Sequence, residues 1–178
     1  MGPHELIACI CEGSAERAII ELLLENNCLY FKKEDLLEDE IIVNCRSAKK
    51  FERRYLRKGF ETPITVIRIL DSKGENFKLS RAYESKVKVI NVVTAPEIEM
   101  LVIISEGKYD QYKRKKHNMK PSDYCKIELE IPDVKNYNFV KTYFKDVTKL
   151  IMAINKYKSV TKEHKGCLTL ADLLKESF

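Results

Sequence analysis

The sequence predicts an α/β protein built on an open, mostly parallel sheet with helices on both faces, and three observations predict it. Short runs of aliphatic and β-branched residues alternate with longer amphipathic runs, the order expected of strands joined by crossover helices. The strand-like runs are apolar on consecutive positions rather than alternate ones, as in strands buried on both faces. Acidic or turn-forming residues follow these runs, where a parallel strand ends and a helix begins.

Taken in order, "ELIACIC" is the first strand, and "SAERAIIELLLENN" follows it with Ala15, Ala18, Ile19, Leu22 and Leu23 at helical spacing. Ser14 is placed to cap that helix, with Arg17 and Glu21 on its polar side. "DEIIVNC" is a short strand, and "SAKKFERRYLRKG" a basic helix ended by Gly59. "PITVIRIL" is the strongest strand, rich in β-branched residues. "GENFKLSRAYES" predicts a helix and "KVKVINVVT" a further strand, while "EIEMLVIIS" fits either a strand or a buried helical turn. The polar, proline-punctuated stretch 108–126 reads as a loop or linker. Beyond it, "NFVKTYFKDVTKLIMAINKYK" carries an apolar stripe through Val140, Tyr143, Phe144, Val147, Leu150, Ile151 and Ile154, and predicts one long helix. "LTLADLLKESF" closes the chain as a short helix with Thr169 at its start. Together these elements describe a Rossmann-like domain over 1–130 that includes a basic loop near 108–121, with a C-terminal helical part, 131–178, packed on the same domain.

At 178 residues, 44% hydrophobic and 33% charged, the chain has the length and composition of one globular unit. No apolar run approaches the roughly 20 residues that cross a bilayer, and the start "MGPHEL" lacks the features of a signal peptide. The expectation is a cytoplasmic protein without a membrane partner. Cys9, Cys11, Cys28, Cys45, Cys125 and Cys167 form no CxxC pair, and His4, His117 and His164 stand apart from them, which favours reduced thiols over disulfides or zinc.

The net charge of +5 is concentrated. "RSAKKFERRYLRK" (46–58) carries Arg46, Lys49, Lys50, Arg53 and Arg54, and "KYDQYKRKKHNMK" (108–120) carries Lys113, Arg114, Lys115 and Lys116. Both interleave cations with aromatic residues, a pattern suited to phosphate contacts and base stacking, so nucleic acid is the expected partner. Tyr109, Tyr112 and Tyr124 are the candidate stacking residues.

Ligands of an open parallel sheet gather outside the carboxyl ends of its strands. Glu12 follows the first strand, Asp71 follows "ITVIRIL", and Glu97 and Glu99 follow "VKVINVVTAP". Carboxylates held together repel one another unless a cation neutralises them. Oxygen donors without His or Cys suit Mg²⁺ or Mn²⁺, the ions of phosphoryl chemistry. No Gly-x-Ser-x-Gly elbow, Walker lysine or Gly-x-Gly-x-x-Gly run offers another chemistry.

"CICEGSAERAIIELLL" resembles the opening of TOPRIM domains, in which a glutamate and a glycine end the first strand and start the first helix. "IRILDSKGE" occupies the place of their aspartate-bearing strand end, and "VVTAPEIEMLVII" resembles a segment of RloB-like and OLD-type TOPRIM proteins of bacterial defence and mobile elements. The resemblance covers roughly residues 5 to 110, and "KPSDYCK" extends it. It implies a catalytic pair, Glu12 and Asp71, with Glu12 as general base or metal ligand and Asp71 and Glu99 as Mg²⁺ ligands, Glu97 being an extra acid. It further implies a Mg²⁺-dependent nuclease, and a partner ATPase encoded elsewhere. The chain departs from the family's Asp-x-Asp pattern, because Lys73 stands where a second aspartate is expected, and Glu75 is the nearest acid able to replace it. The alternative is a catalytically inactive TOPRIM-like module for partner assembly or sensing. The sequence leaves DNA against RNA open, and the oligomeric state too, a homodimer included.

Overall fold

The computed structural model describes residues 5–57, 59–60, 62–71, 76–94, 96–161 and 168–178. Four strands, β1 (Leu6–Cys11), β2 (Ile42–Val43), β3 (Ile64–Leu70) and β4 (Val87–Val93), form one parallel sheet in the order β2-β1-β3-β4. β3 is buried along its whole length, and its register runs from Leu6↔Ile64 to Cys11↔Ile69 on one side and from Ile64↔Val87 to Leu70↔Val93 on the other. The open, parallel α/β architecture expected from the strand pattern is the one observed.

Strand alternation divides the core into two layers. Ala8, Ile10, Ile64 and Val66 face α2 (Ala48–Phe51) and the π-helical turn that continues it (Glu52–Leu56), packing on Phe51, Tyr55, Leu56 and Leu79. The helical run there ends at Gly59, whose φ of +74° lies in the left-handed region that glycine adopts without strain. Ile7, Cys9, Cys11, Ile67 and Ile69 face the other layer, which holds α1 (Ser14–Glu25), α4 (Glu97–Ser105) and the C-terminal helices. The "GENFKLSRAYES" helix shrinks to a single turn, α3 (Arg81–Glu84). The ambiguous "EIEMLVIIS" resolves as α4, buried almost all round, which is why no amphipathic period marks it.

Two expectations are corrected. The stretch read as a basic loop folds into α5 (Tyr109–Lys115) and α6 (Pro121–Ile127), because Tyr112, Tyr124 and Cys125 enter the core and anchor an otherwise polar run. The single long helix is two, α7 (Tyr137–Tyr143) and α8 (Val147–Val160); Asp146 caps α8 by accepting from the Thr148 amide at 2.9 Å. α7 packs on α1, and α8 on α4. Cys9, Cys11, Cys28, Cys45 and Cys125 are free and buried, while Cys167, His4 and His164 lie outside the described residues.

The chain end returns to the sheet. Val93 N–H donates to the Leu168 carbonyl at 3.0 Å and Leu168 N–H to the Asn91 carbonyl at 2.9 Å, alongside β4. Thr169 then opens a 3₁₀ turn (Leu170–Leu173) in a capping box with Asp172. Among the described residues no helix is long and apolar enough to cross a membrane.

Candidate functional site

From β1 the chain passes to β2 on one side and then crosses to β3 on the other, so strand order reverses between β1 and β3. The carboxyl ends at such a switch point leave a crevice that ligands use. Here those ends are tied together: Glu12 N–H donates to the Ile69 carbonyl at 3.2 Å, and Thr94 N–H to the Leu70 carbonyl at 2.8 Å. Glu12, Asp71 and Thr94 therefore stand on one rim.

The four acids expected to converge take separate directions. Glu12 continues the alternation of Ala8 and Ile10 and turns to the α2 side, where its Oε1 lies 3.3 Å from Nη2 of Arg68, each side chain 1% exposed. Arg68 also lies 3.4 Å from Asn91 Oδ1 through Nη1, and its guanidinium is 4.6 Å from the centre of the Phe77 ring. Asp71 is exposed. Glu97 and Glu99 are two residues apart on α4, some 200° around a helix, and face different neighbours. Glu99 Oε1 sits 3.3 Å from Lys135 Nζ. Glu97 is wholly buried beside the 3₁₀ turn, and neither of its oxygens has a hydrogen bond among the described residues. Burial pushes its carboxyl up to about 8, against a lowering influence of the Leu170 amide. Lys73 and Glu75 lie outside the described residues.

The acid that feels the charge of Asp71 is Glu16, which is not among the four acids expected at the strand ends. Glu16 stands on the first turn of α1 and is 2% exposed. Its Oε1 lies 3.1 Å from Thr94 Oγ1, and that hydroxyl is 2.9 Å from the Leu70 carbonyl oxygen. One hydroxyl proton cannot serve both acceptors at once. When Thr94 donates to Leu70, a protonated Glu16 donates to Thr94 instead. Burial raises the Glu16 pKa, the charge of Asp71 raises it further, and the Thr94 hydrogen bond and Lys135 oppose the rise. Gly13 makes the position available: a Cβ there would come 2.2 Å from Glu16 Oε2. Gly13 consequently takes the cap position of α1, without a side-chain cap, and Ser14 Oγ donates to the Lys135 carbonyl at 3.1 Å rather than capping the helix as expected. Lys135 thus ties the start of α1 to Glu99 on α4 while its own side chain remains 48% exposed.

Among the described residues no group of three or more His, Cys, Asp or Glu side chains is placed to hold a metal ion. Glu12 and Glu99 already have cationic partners in Arg68 and Lys135. Of the remaining rim acids, Glu16 feels the charge of Asp71, and Mg²⁺ is commonly held by one or two carboxylates with water and substrate phosphate completing its shell.

Both basic segments are at the surface, on opposite layers. Arg46, Lys49, Lys50, Arg53 and Arg54 are exposed on the α2 side, where Arg54 approaches Glu40 to 3.9 Å. Lys113, Arg114, Lys115 and Lys116 are exposed on and just after α5, in the layer of α4 and α8. They form two patches rather than one continuous track. Of the candidate stacking residues, Tyr112 and Tyr124 are buried against each other edge to face, 5.2 Å between ring centres, and Tyr109 is only half-buried.

The signals for the missed residues were short: an acid four positions after Glu12 across a glycine, and a lone arginine inside a strand otherwise buried and uncharged, which demands a buried counter-charge. No family model, no curated protein and no solved structure matches the chain.

Proposed function

We propose that the chain is a TOPRIM-like protein that acts on nucleic acid and cleaves a phosphodiester with Mg²⁺ at the switch-point rim, Glu16 and Asp71 being the acids that hold the ion. The observation that carries this reading is the buried Glu16 carboxyl set against the charge of Asp71, where the strand order reverses. A bound Mg²⁺ supplies charge neutralisation and an acidified water for phosphoryl chemistry. The protein's own groups do the rest. Thr94 holds the Glu16 carboxyl by a hydrogen bond, and burial, which disfavours the charge on that group, is what a cation beside it would offset. Exposed Asp71 meets solvent and substrate first. The half-exposed Lys135 ammonium draws a phosphate toward the acids, and the α5 cations hold the neighbouring backbone. The setting in defence or mobile-element biology, and a partner ATPase, belong to this reading through the resemblance alone.

The test is a cleavage assay on labelled DNA and RNA, single-stranded and duplex, in Mg²⁺ and in chelator. Glu16→Gln and Asp71→Asn should each lower the rate by about 100-fold or more while circular dichroism stays unchanged. Undiminished cleavage by the double variant would overturn the assignment.

A second reading, a non-cleaving module for binding or assembly, draws on the same site. Arg68 and Lys135 already neutralise Glu12 and Glu99, two of the acids that the resemblance assigns to catalysis. Calorimetry separates the two readings: nucleic-acid binding without Mg²⁺ binding selects the second.

A further inference from the structure

Beside the rim lies a cleft of about 390 Å³ between α4, α5 and α8, and its lining differs from that of any other cleft described. Pro96, Met100, Tyr109 and Tyr157 form its apolar walls, Lys113 and Lys116 stand at its edge, and no acid lines it among the described residues. A larger cleft of about 550 Å³ between α1 and the π-helical turn is instead lined by both signs, with Glu21, Glu25, Asp39 and Glu40 among Arg17, Lys33 and Arg54. The smaller cleft is therefore the one whose charge complements an anion. Lys113 on α5 and Lys116, its C-cap with helical backbone angles, are three residues apart and share a face. Lys115 is engaged by Glu128 at 2.8 Å, whereas among the described residues neither Lys113 nor Lys116 makes an ion pair. Pro96 follows Thr94, the residue that holds Glu16, by two positions, so the cleft opens next to the same rim.

Aromatic and proline surfaces with cations at the mouth match one chemistry closely: a planar heterocycle inside and phosphates outside. Duplex bases are stacked and cannot enter such a space, while an unpaired base can. We infer that this cleft receives one unstacked base of a single-stranded nucleic acid, with Lys113 and Lys116 on the flanking phosphates, which makes single strands the substrate class. This rests on the nucleic-acid reading above and extends it to a specificity.

Binding is measured by fluorescence anisotropy on the full chain carrying Glu16→Gln, in chelator, so that cleavage plays no part. The probes are a short labelled oligothymidine, an oligouridine, an abasic strand of the same length and a duplex of the same length. The abasic strand and the duplex should each bind about tenfold more weakly than the better of the two single strands. Lys113→Ala with Lys116→Ala, both exposed and harmless to the core, should weaken binding and reduce the salt-dependence slope by about 1.4. Tyr109→Ala should remove the preference for the based strand and Tyr109→Phe should keep it. Equal affinity for based and abasic strands, or for single strand and duplex, overturns the inference. A cleavage assay that fails leaves this outcome standing, and failure here leaves the cleavage site untouched.

Discussion

The two faces of the switch-point rim solve the same electrostatic problem in opposite ways. On the α2 side Glu12 and Arg68 are both withdrawn from water, and the guanidinium is closed over by Phe77. On the α4 side Glu16 and Glu99 share the influence of one half-exposed lysine, and Glu16 also feels the charge of Asp71, which reaches solvent. A sealed pair gives a fixed geometry that no ligand enters. An under-neutralised, partly wet group of acids is the arrangement that a cation or a phosphate-bound cation can complete. The rim is thus rigid on one face and receptive on the other.

The sharpest way to break that contrast is Arg68→Ala, which takes a cationic partner from a buried carboxylate and empties the space of a large buried side chain, and it should destabilise the fold by about 3–5 kcal/mol in chemical denaturation. Adding Glu12→Gln should recover part of the loss, since the buried carboxylate charge that Arg68 balances is then gone.

Glu97 is a third case, a buried carboxyl without a cationic partner among the described residues, and it sharpens the comparison through pH. Its folded pKa of about 8 stands above the unfolded value of 4.5. The folded chain therefore holds a proton that the unfolded chain releases, and this contribution is full below pH ~4.5 and is lost as pH rises toward ~8. Between pH ~5 and ~8 the loss is on the order of 3 kcal/mol. Glu97→Gln, which resembles the protonated form, should flatten the melting temperature over that window and leave the variant the more stable protein at the upper end.

The smallest effect belongs to the receptive face. Lys135→Ala removes a half-exposed partner of Glu99 and should change stability by no more than about 1 kcal/mol. Its visible consequence is a further rise of the Glu16 pKa, because Lys135 is one of the groups holding it down. A shift of the Glu16 titration to higher pH, followed by carboxyl-carbon NMR, checks this. A large stability loss would mean that the two faces are not differently built.

These contrasts explain what was readable in the chain alone. The sheet was legible because β1 is a continuous apolar run and β3 and β4 are rich in β-branched residues, and that pattern depends on local composition. The break at Phe144–Asp146 was not, since the apolar stripe continues across it and hides the cap at Asp146. α5 and α6 were missed because so few side chains anchor them. At the site, Glu12 and Asp71 were correctly placed at strand ends, yet strand alternation sends Glu12 to the opposite face, and only the packing of α1 on the sheet brings Glu16 to Thr94. Which of two nearby acids joins a site is a tertiary property, set by a glycine that lets one of them fold back.

The chain end that runs beside β4 bears on how copies of this molecule meet. The row of amides and carbonyls on an outer strand is a template for adding another chain's strand. Leu168 occupies that row along the carboxyl half of β4, and the opposite margin is β2, two residues long. Among the described residues neither margin offers a long ladder, so the fold discourages fibre-like growth by strand addition, and self-association would have to be written in side chains on the helical layers.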